Sequence, residues 1–348
     1  MAIGGCIYFV DVGQGSAQVI LFPDDSIVIV DCGPCSEPVA NLLSLMTFTR
    51  IRAVVLSHWH EDHVAGAPDL IRRFLDDIDV VYIPRDRPTD KIVEHQTYLE
   101  IVELSEEERR FKIDFLVHQS VLAGRLWPVE QNPRAAELTL IYPNARESMQ
   151  QEGQRDANQG SGVLCLHWND VRILLPADAG RKAFEAIYEK NDRKPLECDV
   201  VAAPHHMGKL SQSSETYRGY ANCYEWLYKN VINARLIIVS VGTTNDHNHP
   251  RLSHVEASRK HGSEIVCTQI TSVCHADLRS VLPLVDSGSD YPAACRSHSN
   301  DGVGCAGTIQ VDLTTSGAVV HRRDAHQQAI DAKLDDSVVL CRRGLPTT

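Results

Sequence analysis

The sequence lacks features that would assign it to other broad classes of protein. No apolar run approaches the roughly 20 residues that a membrane-spanning helix needs. The first residues, MAIGGC, contain no basic segment and no small-residue cleavage site, so they do not predict a signal peptide. We therefore expect a cytoplasmic protein that does not act at a membrane.

An excess of basic residues is also missing, since the formal net charge is -12. An acidic chain repels polyanions at long range, which argues against broad, nonspecific binding of duplex DNA. The charge does not exclude a phosphate-containing substrate, because bound metal ions reverse the local charge of a site. Nothing in the sequence indicates an oligomeric state.

Cysteines are numerous for a cytoplasmic protein, with 11 in the chain. In a reducing compartment they are more often buried thiols or metal ligands than disulfides. Several fall between residues 267 and 305, where thiolates and nearby imidazoles suggest a structural zinc. This segment has no Cys-x-x-Cys spacing, so buried thiols are the alternative. The candidate zinc ligands are Cys267, Cys274, Cys295 and Cys305.

Short apolar runs alternate with helix-like segments, which predicts sheets covered by helices. We expect one domain over residues 1–320, with 267–305 as its cysteine-rich part, and a weakly attached polar tail over 321–348. A hairpin is expected at the N-terminus and a second one around residues 169–170. Buried strands are predicted at 27–30, 53–56, 80–84 and 236–241, and helices at 38–48, 64–77, 91–110, 181–191, 214–230 and 252–261.

Tyrosines recur at helical spacing in the predicted helix 214–230. They predict a stripe at the core or its rim, and a platform for base stacking is the alternative. The residues are Tyr217, Tyr220, Tyr224 and Tyr228.

The segment HWHEDH at residues 58–63 is dense in metal ligands and follows a predicted buried strand. Neutral imidazoles and carboxylates are ligands that zinc, manganese and iron accept. Residues i and i+2 of an extended segment point to the same side, so His58, His60 and Asp62 can converge. His63 is reached where the chain turns into the next helix. The segment therefore predicts half-sites for two metals, and a chance polar loop is the poorer explanation.

The spacing His-x-His-x-Asp-His resembles the signature of metallo-β-lactamase-fold hydrolases. Further motifs follow in the order expected for that fold, and the set looks most like the soluble hydrolase domain of ComEC-type competence proteins. The resemblance implies an α+β fold, a four-layer αβ/βα sandwich of metallo-β-lactamase type with metals between the edges of its two sheets. The supporting motifs are DVGQG at 11–15, LPADA at 175–179, PHHMG at 204–208, a serine-rich stretch at 211–214, VG at 241–242 and HP at 249–250.

This resemblance implies a ligand set shared by two divalent metals, zinc or manganese. Asp178 would bridge the metals, and one histidine of the pair at 205–206 would join metal 2. The sequence leaves open which of the two it is: we name His205 as the ligand and His206 as the substrate contact, and the reverse is the alternative. Asp11 would orient the ligands. The implied metal ligands are His58, His60, Asp62, His63, Asp178 and His205.

Many members of that family supply one more histidine to metal 1, and His167 is the candidate here. A hairpin that turns at Asn169-Asp170 pairs residues i and j with i + j near 339, which places His167 opposite Arg172. Six residues of strand at about 3.3 Å each then put His167 roughly 20 Å from Asp178. His167 is therefore a poor ligand. The side chains expected beside the metals instead, as substrate contacts or to complete metal 1, are Asn158, Gln159 and Ser161.

These expectations lead to three hypotheses of function. The first is a phosphodiesterase or nuclease in which a metal-bound hydroxide is the nucleophile, Asp62 holds or accepts the proton of the water, and His249 donates to a phosphate or leaving group. The second is hydrolysis of a carbon ester, thioester or lactam on the same scaffold. The third is a metal-bound sensor or partner protein without activity, because metal 1 lacks a histidine.

Overall fold

The computed structural model describes residues 5–86, 88, 92–117, 136–144, 146–148, 157–210, 216–271, 273–274, 304–314, 317–321 and 341. The serine-rich stretch 211–214, Cys295 and nearly all of the predicted tail lie outside the described residues. Among the residues that are described, no helix is both long and apolar enough to cross a membrane.

The described strands form two sheets. The first has eight strands in the order β14-β13-β1-β2-β3-β4-β5-β6, and the second has six in the order β12-β11-β10-β9-β8-β7. In chain order the strands are β1 (Cys6–Phe9), β2 (Gln18–Leu21), β3 (Ser26–Val30), β4 (Arg50–Val55), β5 (Val80–Pro84), β6 (Lys112–Leu116), β7 (Glu137–Tyr142), β8 (Val163–Trp168), β9 (Val171–Leu175), β10 (Leu196–Ala202), β11 (Ile232–Val239), β12 (Glu264–Cys267), β13 (Ile309–Thr314) and β14 (Gly317–Val320).

The helices of the described residues follow the strands of both sheets. They are α1 (Glu37–Ser44), α2 (Glu61–Val64), α3 (Ala67–Arg73), α4 (Ile92–Glu108), α5 (Arg181–Lys190), α6 (Cys223–Trp226) and α7 (Leu252–Lys260). Short 3-10 turns cover Ala157–Gly160 and Pro204–Met207, and a π-helical turn covers Leu227–Val231.

Alternating side chains give each sheet two buried faces. In β1, Ile7 and Phe9 join the apolar cluster between the sheets, whereas Cys6 and Tyr8 join the cluster that includes α1 and α3. A third cluster packs the second sheet against α5, α6 and α7. The layers therefore run helix, sheet, sheet, helix, and the predicted four-layer αβ/βα sandwich is confirmed.

Both predicted hairpins are present. β1 pairs antiparallel with β2, and β8 pairs with β9 in a register that places His167 opposite Arg172 and Leu164 opposite Leu175. The two residue numbers of each β8–β9 pair sum to 339, as predicted from a turn at Asn169-Asp170. The sequence patterns did not predict β13, which pairs antiparallel with β1 although about 300 residues separate them.

Two predicted helices are not continuous. The predicted helix 64–77 is split at Gly66, whose position beside the Cys35 backbone leaves no room for a side chain, and Pro68 then opens α3. In the predicted helix 214–230, Arg218 and Gly219 adopt left-handed φ angles of 49° and 85°, so α6 begins only after the Asn222 cap. The tyrosines nevertheless pack in or against the core, as the stripe interpretation predicts.

Candidate metal centre

The carboxyl ends of parallel strands bring the candidate ligands to one edge of the sandwich. β3 and β4 are parallel neighbours in the first sheet, and β9, β10 and β11 are parallel neighbours in the second. Chain segments that follow these strands carry the ligand residues, because parallel strands end at the same sheet edge. The two sheets thus meet in a polar cluster built from residues distant in sequence.

The HWHEDH segment supplies ligands to two groups, as predicted. His60 is in extended conformation (φ -126°, ψ 142°) directly before α2, so the segment passes from an extended stretch into a helical turn. His58, His60 and Asp178 form one group of potential ligand atoms, all within 4.8 Å of one another. A second group under the same distance limit consists of Asp62, His63 and His206.

Asp178 faces both groups. Its Oδ2 lies 3.8 Å from His58 Nε2, and its Oδ1 lies 3.1 Å from His63 Nε2 and 3.4 Å from His206 Nε2. The residue is buried in the turn after β9, where Ala177 has a left-handed φ of 45°. This position is the one expected of a carboxylate that bridges two cations.

The two histidines of the pair lie in different positions at the centre. His206 is buried and lies within 3.5 Å of Asp62 and 3.2 Å of His63, so it joins the second ligand group. His205 is more exposed, and its Nε2 approaches only Asp178, at 3.4 Å. Both residues have left-handed φ angles, near 50°. That conformation separates the directions of the two rings, which the sequence pattern alone does not reveal.

Asp31 contacts a histidine of the centre, whereas Asp11 does so through none of its hydrogen bonds among the described residues. Asp31 Oδ2 accepts a hydrogen bond of 2.7 Å from His63 Nδ1, and the two Asp31 oxygens also accept the amide and hydroxyl hydrogens of Ser57. Asp11 instead bonds with the amide of Gly13 and the side chains of Gln269 and Thr308. The available sequence signal was an aspartate directly after the buried strand β3.

At Asp178 and His63, neighbouring charges shift the pKa more than burial does. Burial by itself raises the pKa of Asp178, but the nearby His205 and His63 imidazoles hold that pKa well below its usual range. Burial lowers the pKa of His63, but Asp178 and Asp31 raise it well above its usual range. His58 behaves differently, because burial and the adjacent His63 and His60 together hold its pKa well below the usual value.

The donor set fits divalent metal ions. Each group offers imidazole nitrogens and carboxylate oxygens, which are ligands for zinc and manganese. Within the described residues, the buried atom His58 Nε2 has no hydrogen-bond partner. A buried polar atom without a partner is costly, and a cation held by His58, His60 and Asp178 would satisfy it.

A cavity of about 710 Å³ opens onto the centre. His60, Asp62 and Asp178 lie in its wall, together with Asn158 as predicted. Ser161 is fully buried behind Asn158, whose carbonyl accepts the Ser161 amide hydrogen at 3.3 Å. The remaining lining includes Gln14, Pro34, Glu61, His205, His206, Lys209, Asp246, His247, Asn248, His249 and Arg251.

His249 is a buried residue of the cavity wall. Its ring stacks on His206 with centroids 6.0 Å apart, and Asn245 accepts its backbone amide hydrogen at 2.7 Å. Burial, with help from His206 and His205, lowers the pKa of His249 to about 3. Its imidazole is therefore neutral near pH 7 and retains one hydrogen to donate.

Other candidates lie away from the centre. His167 lines a separate surface cleft with Arg172 and Arg235, as the register argument required. Cys267, Cys274 and Cys305 are buried in the apolar cluster beside the second sheet, together with Cys341. Among the described residues, these cysteines do not appear in any group of three metal-ligand atoms, and the fourth candidate, Cys295, lies outside those residues.

Comparison with known proteins agrees with this architecture. Residues 10–126 match the model of the metallo-beta-lactamase superfamily. Ribonuclease J from Mycoplasma genitalium is 26% identical over 169 residues, covering 41% of this chain and 26% of the relative. The lactamase-like protein ptaB from Pestalotiopsis fici is 35% identical over 72 residues, covering 20% of this chain and 23% of the relative. The chain thus spans about a quarter of the length of these curated relatives.

Among solved structures, the metallo-beta-lactamase fold protein YhfI from Bacillus subtilis matches with a TM-score of 0.42 at 14% identity, over 76% of this chain and 96% of that one. The two-sheet sandwich of the described residues is the metallo-β-lactamase fold.

Proposed function

We propose that this protein is a metal-dependent hydrolase that cleaves phosphodiester bonds in a nucleic acid or a nucleotide. The observation that carries the proposal is the pair of ligand groups that share the flanking carboxylate Asp178. Two adjacent cations suit in-line displacement at phosphorus, since each can stabilise one of the oxygens that attack or leave.

His58, His60 and Asp178 would hold one cation, and Asp62, His63 and His206 the other. Zinc or manganese bound there would lower the pKa of water to about 7 and stabilise charge that develops on the substrate. Within the described residues no third histidine joins the group of His58, His60 and Asp178, which would leave that cation with fewer protein ligands. Asn158 lies in the same cavity.

The protein's own groups complete the proposed chemistry. Desolvation raises the pKa of Asp62, but His63 and His206 outweigh it and hold that pKa below its usual range. The Asp62 carboxylate is therefore ionised and would hold the attacking water by accepting a hydrogen bond from it. His249, neutral and buried in the cavity wall, would donate a hydrogen bond to an oxygen of the phosphate or the leaving group.

Cationic side chains at the cavity favour an anionic substrate. Lys209 and Arg251 line the cavity, and neither side chain forms an ion pair within the described part of the chain. These residues provide local positive charge on a chain whose formal net charge is -12. The relative named ribonuclease J and the resemblance to ComEC-type hydrolase domains support nucleic acid as the first substrate to test.

The test is an assay of purified protein with Mn²⁺ or Zn²⁺ against bis-p-nitrophenyl phosphate, single-stranded DNA, single-stranded RNA and carbon esters. We expect phosphodiester turnover that stops with a chelator and returns with metal. His63→Ala should abolish it, whereas His321→Ala should not, because His321 is an exposed histidine bonded to Asp312. Ester turnover without phosphodiester turnover would contradict the proposal, and equal activity in His63→Ala would contradict every metal mechanism at this site.

A further inference from the structure

The loop that carries the histidine pair has a costly backbone. His205, His206 and Met207 have successive φ angles of 49°, 51° and 58°. Residues other than glycine rarely adopt this left-handed conformation, and a run of three persists only where neighbouring structure enforces it. Because His206 is a proposed ligand and His205 contacts Asp178, the contacts that enforce this loop also set the geometry of the metal centre.

Backbone contacts secure both ends of the loop. The His205 amide donates to Ala177 O at 2.9 Å, and the Arg251 amide donates to Met207 O at 3.0 Å. The ring of His249 fills the space that a side chain at position 208 would need, so only glycine fits there. These contacts leave the Gly208 carbonyl directed away from the metal centre, where a buried side chain receives it.

That side chain is His254, on α7. Its Nδ1 lies 3.2 Å from Gly208 O, and its Nε2 lies 2.9 Å from the Tyr228 hydroxyl. A carbonyl can only accept, so Nδ1 carries the hydrogen. Burial lowers the pKa of His254 to about 3, so the ring is neutral and Nε2 must accept from Tyr228. The tyrosine hydroxyl thus selects the tautomer that holds the loop.

A short path connects this carbonyl to the histidine pair. Gly208 precedes Lys209, whose carbonyl accepts the hydrogen of His205 Nδ1 at 3.0 Å. Tyr224 stacks on His254 with centroids 4.4 Å apart, and its hydroxyl accepts the amide hydrogen of Leu210. The peptide groups that follow the pair are therefore held by buried side chains on α6, the π-helical turn and α7.

We propose that Tyr228 and His254 are positioning residues, which hold the Gly208 carbonyl so that His205 and His206 keep the geometry needed to bind metal. This inference rests on the metal centre of the proposed function. It predicts that the pair acts on metal affinity, in addition to any contribution to the stability of the core. Partners that orient metal ligands typically change affinity by about 10- to 100-fold when they are removed.

The test is a Zn²⁺ titration of the purified full chain in competition with a chromophoric chelator, repeated with Co²⁺ to record its absorption spectrum. We expect His254→Leu to weaken binding of the cation that Asp62, His63 and His206 would hold by about tenfold or more. His254→Asn should recover most of the affinity, because its amide nitrogen replaces Nδ1 as donor to Gly208 O. Tyr228→Phe, which keeps the ring and loses only the hydroxyl, should show an intermediate loss and an altered Co²⁺ spectrum.

Ile29→Val is the matched control, since it removes one buried methylene from the cluster on the opposite side of the molecule. It should lower thermal stability without changing the Zn²⁺ affinity. If His254→Leu does not fold, the Zn²⁺ affinity of Tyr228→Phe by itself tests the inference. Unchanged Zn²⁺ affinity in Tyr228→Phe, with wild-type binding intact, would overturn the inference and leave the proposed function standing. A wild-type protein that binds no Zn²⁺ or Co²⁺ would overturn both.

Discussion

Asp31 Oδ2 lies 2.7 Å from His63 Nδ1, and both residues are buried. The contact leaves His63 Nε2 directed at Asp178 Oδ1, 3.1 Å away. A carboxylate that accepts the outer hydrogen of a metal-binding imidazole fixes its tautomer and increases its basicity as a ligand. Asp31 thus makes the contact with His63 that an orienting residue would make, the role that the family resemblance implied for Asp11.

We expect Asp31→Asn to weaken binding of the cation that Asp62, His63 and His206 would hold. The substitution can place an amide nitrogen, which donates a hydrogen, where the carboxylate oxygen accepts the hydrogen of His63. The loss of Zn²⁺ affinity should be about 10- to 100-fold. Competition with a chelator measures it. Asp11→Asn is the control and should change the affinity less than twofold, because the Asp11 carboxylate accepts from the Gly13 amide and the Gln269 side chain and not from a histidine of the centre. Equal losses of Zn²⁺ affinity in the two variants would contradict an orienting function specific to Asp31.

The histidine pair should separate metal binding from substrate binding. His206→Ala removes a ligand within 3.5 Å of Asp62, so we expect about one bound metal per chain in place of two. His205→Ala should retain both metals and raise KM for a phosphodiester. Metal analysis and steady-state kinetics on the same samples measure both effects. Loss of a metal in His205→Ala but not in His206→Ala would identify His205 as the metal ligand.

The cationic side chains that line the cavity should contribute to substrate binding. Arg251→Ala and Lys209→Ala should each raise KM for an anionic phosphodiester by about 3- to 10-fold, with little change in kcat, because they remove attraction felt equally by the ground state and the transition state. The effect should shrink at high salt. Arg235→Ala is the control, since its side chain is 85% exposed in the separate cleft beside His167. A fall in kcat with constant KM in these variants would contradict a function of Arg251 and Lys209 in substrate binding.

Asp11 should make stability depend on pH. Burial raises the pKa of this carboxyl to about 6 in the folded protein, above the reference value of 3.8, although its bonds with Gly13 and Gln269 oppose the shift. The folded state then holds a proton that the unfolded state has released. This contribution is fully present below about pH 4 and is lost as the pH rises through about 6.

Asp11→Asn removes the titrating group and preserves its shape. Relative to this variant, the wild-type free energy of unfolding should fall by about 3 kcal/mol between pH 4 and pH 7, at about 1.4 kcal/mol per pH unit. Urea unfolding of both proteins at several pH values measures the difference. A difference between the two proteins that stays constant across this range would contradict a raised pKa.

The sequence by itself determined the features that depend on local pattern. Strand β5 was predicted at its observed bounds, and the hairpin register followed from the turn at Asn169-Asp170, because side-chain alternation and turn chemistry act over a few residues. HWHEDH predicted the metal centre for the same reason, since its ligands are adjacent in the chain.

Only the tertiary structure decided which distant residues complete that centre. His206 and not His205 meets Asp62 because three successive left-handed residues set the directions of the rings, and no sequence pattern encodes that conformation for residues other than glycine. Asp31 meets His63 because β3 and β4 are parallel neighbours that end at the same edge. β13 joins β1 across about 300 residues, a pairing set by the packing of the whole sandwich rather than by any local preference.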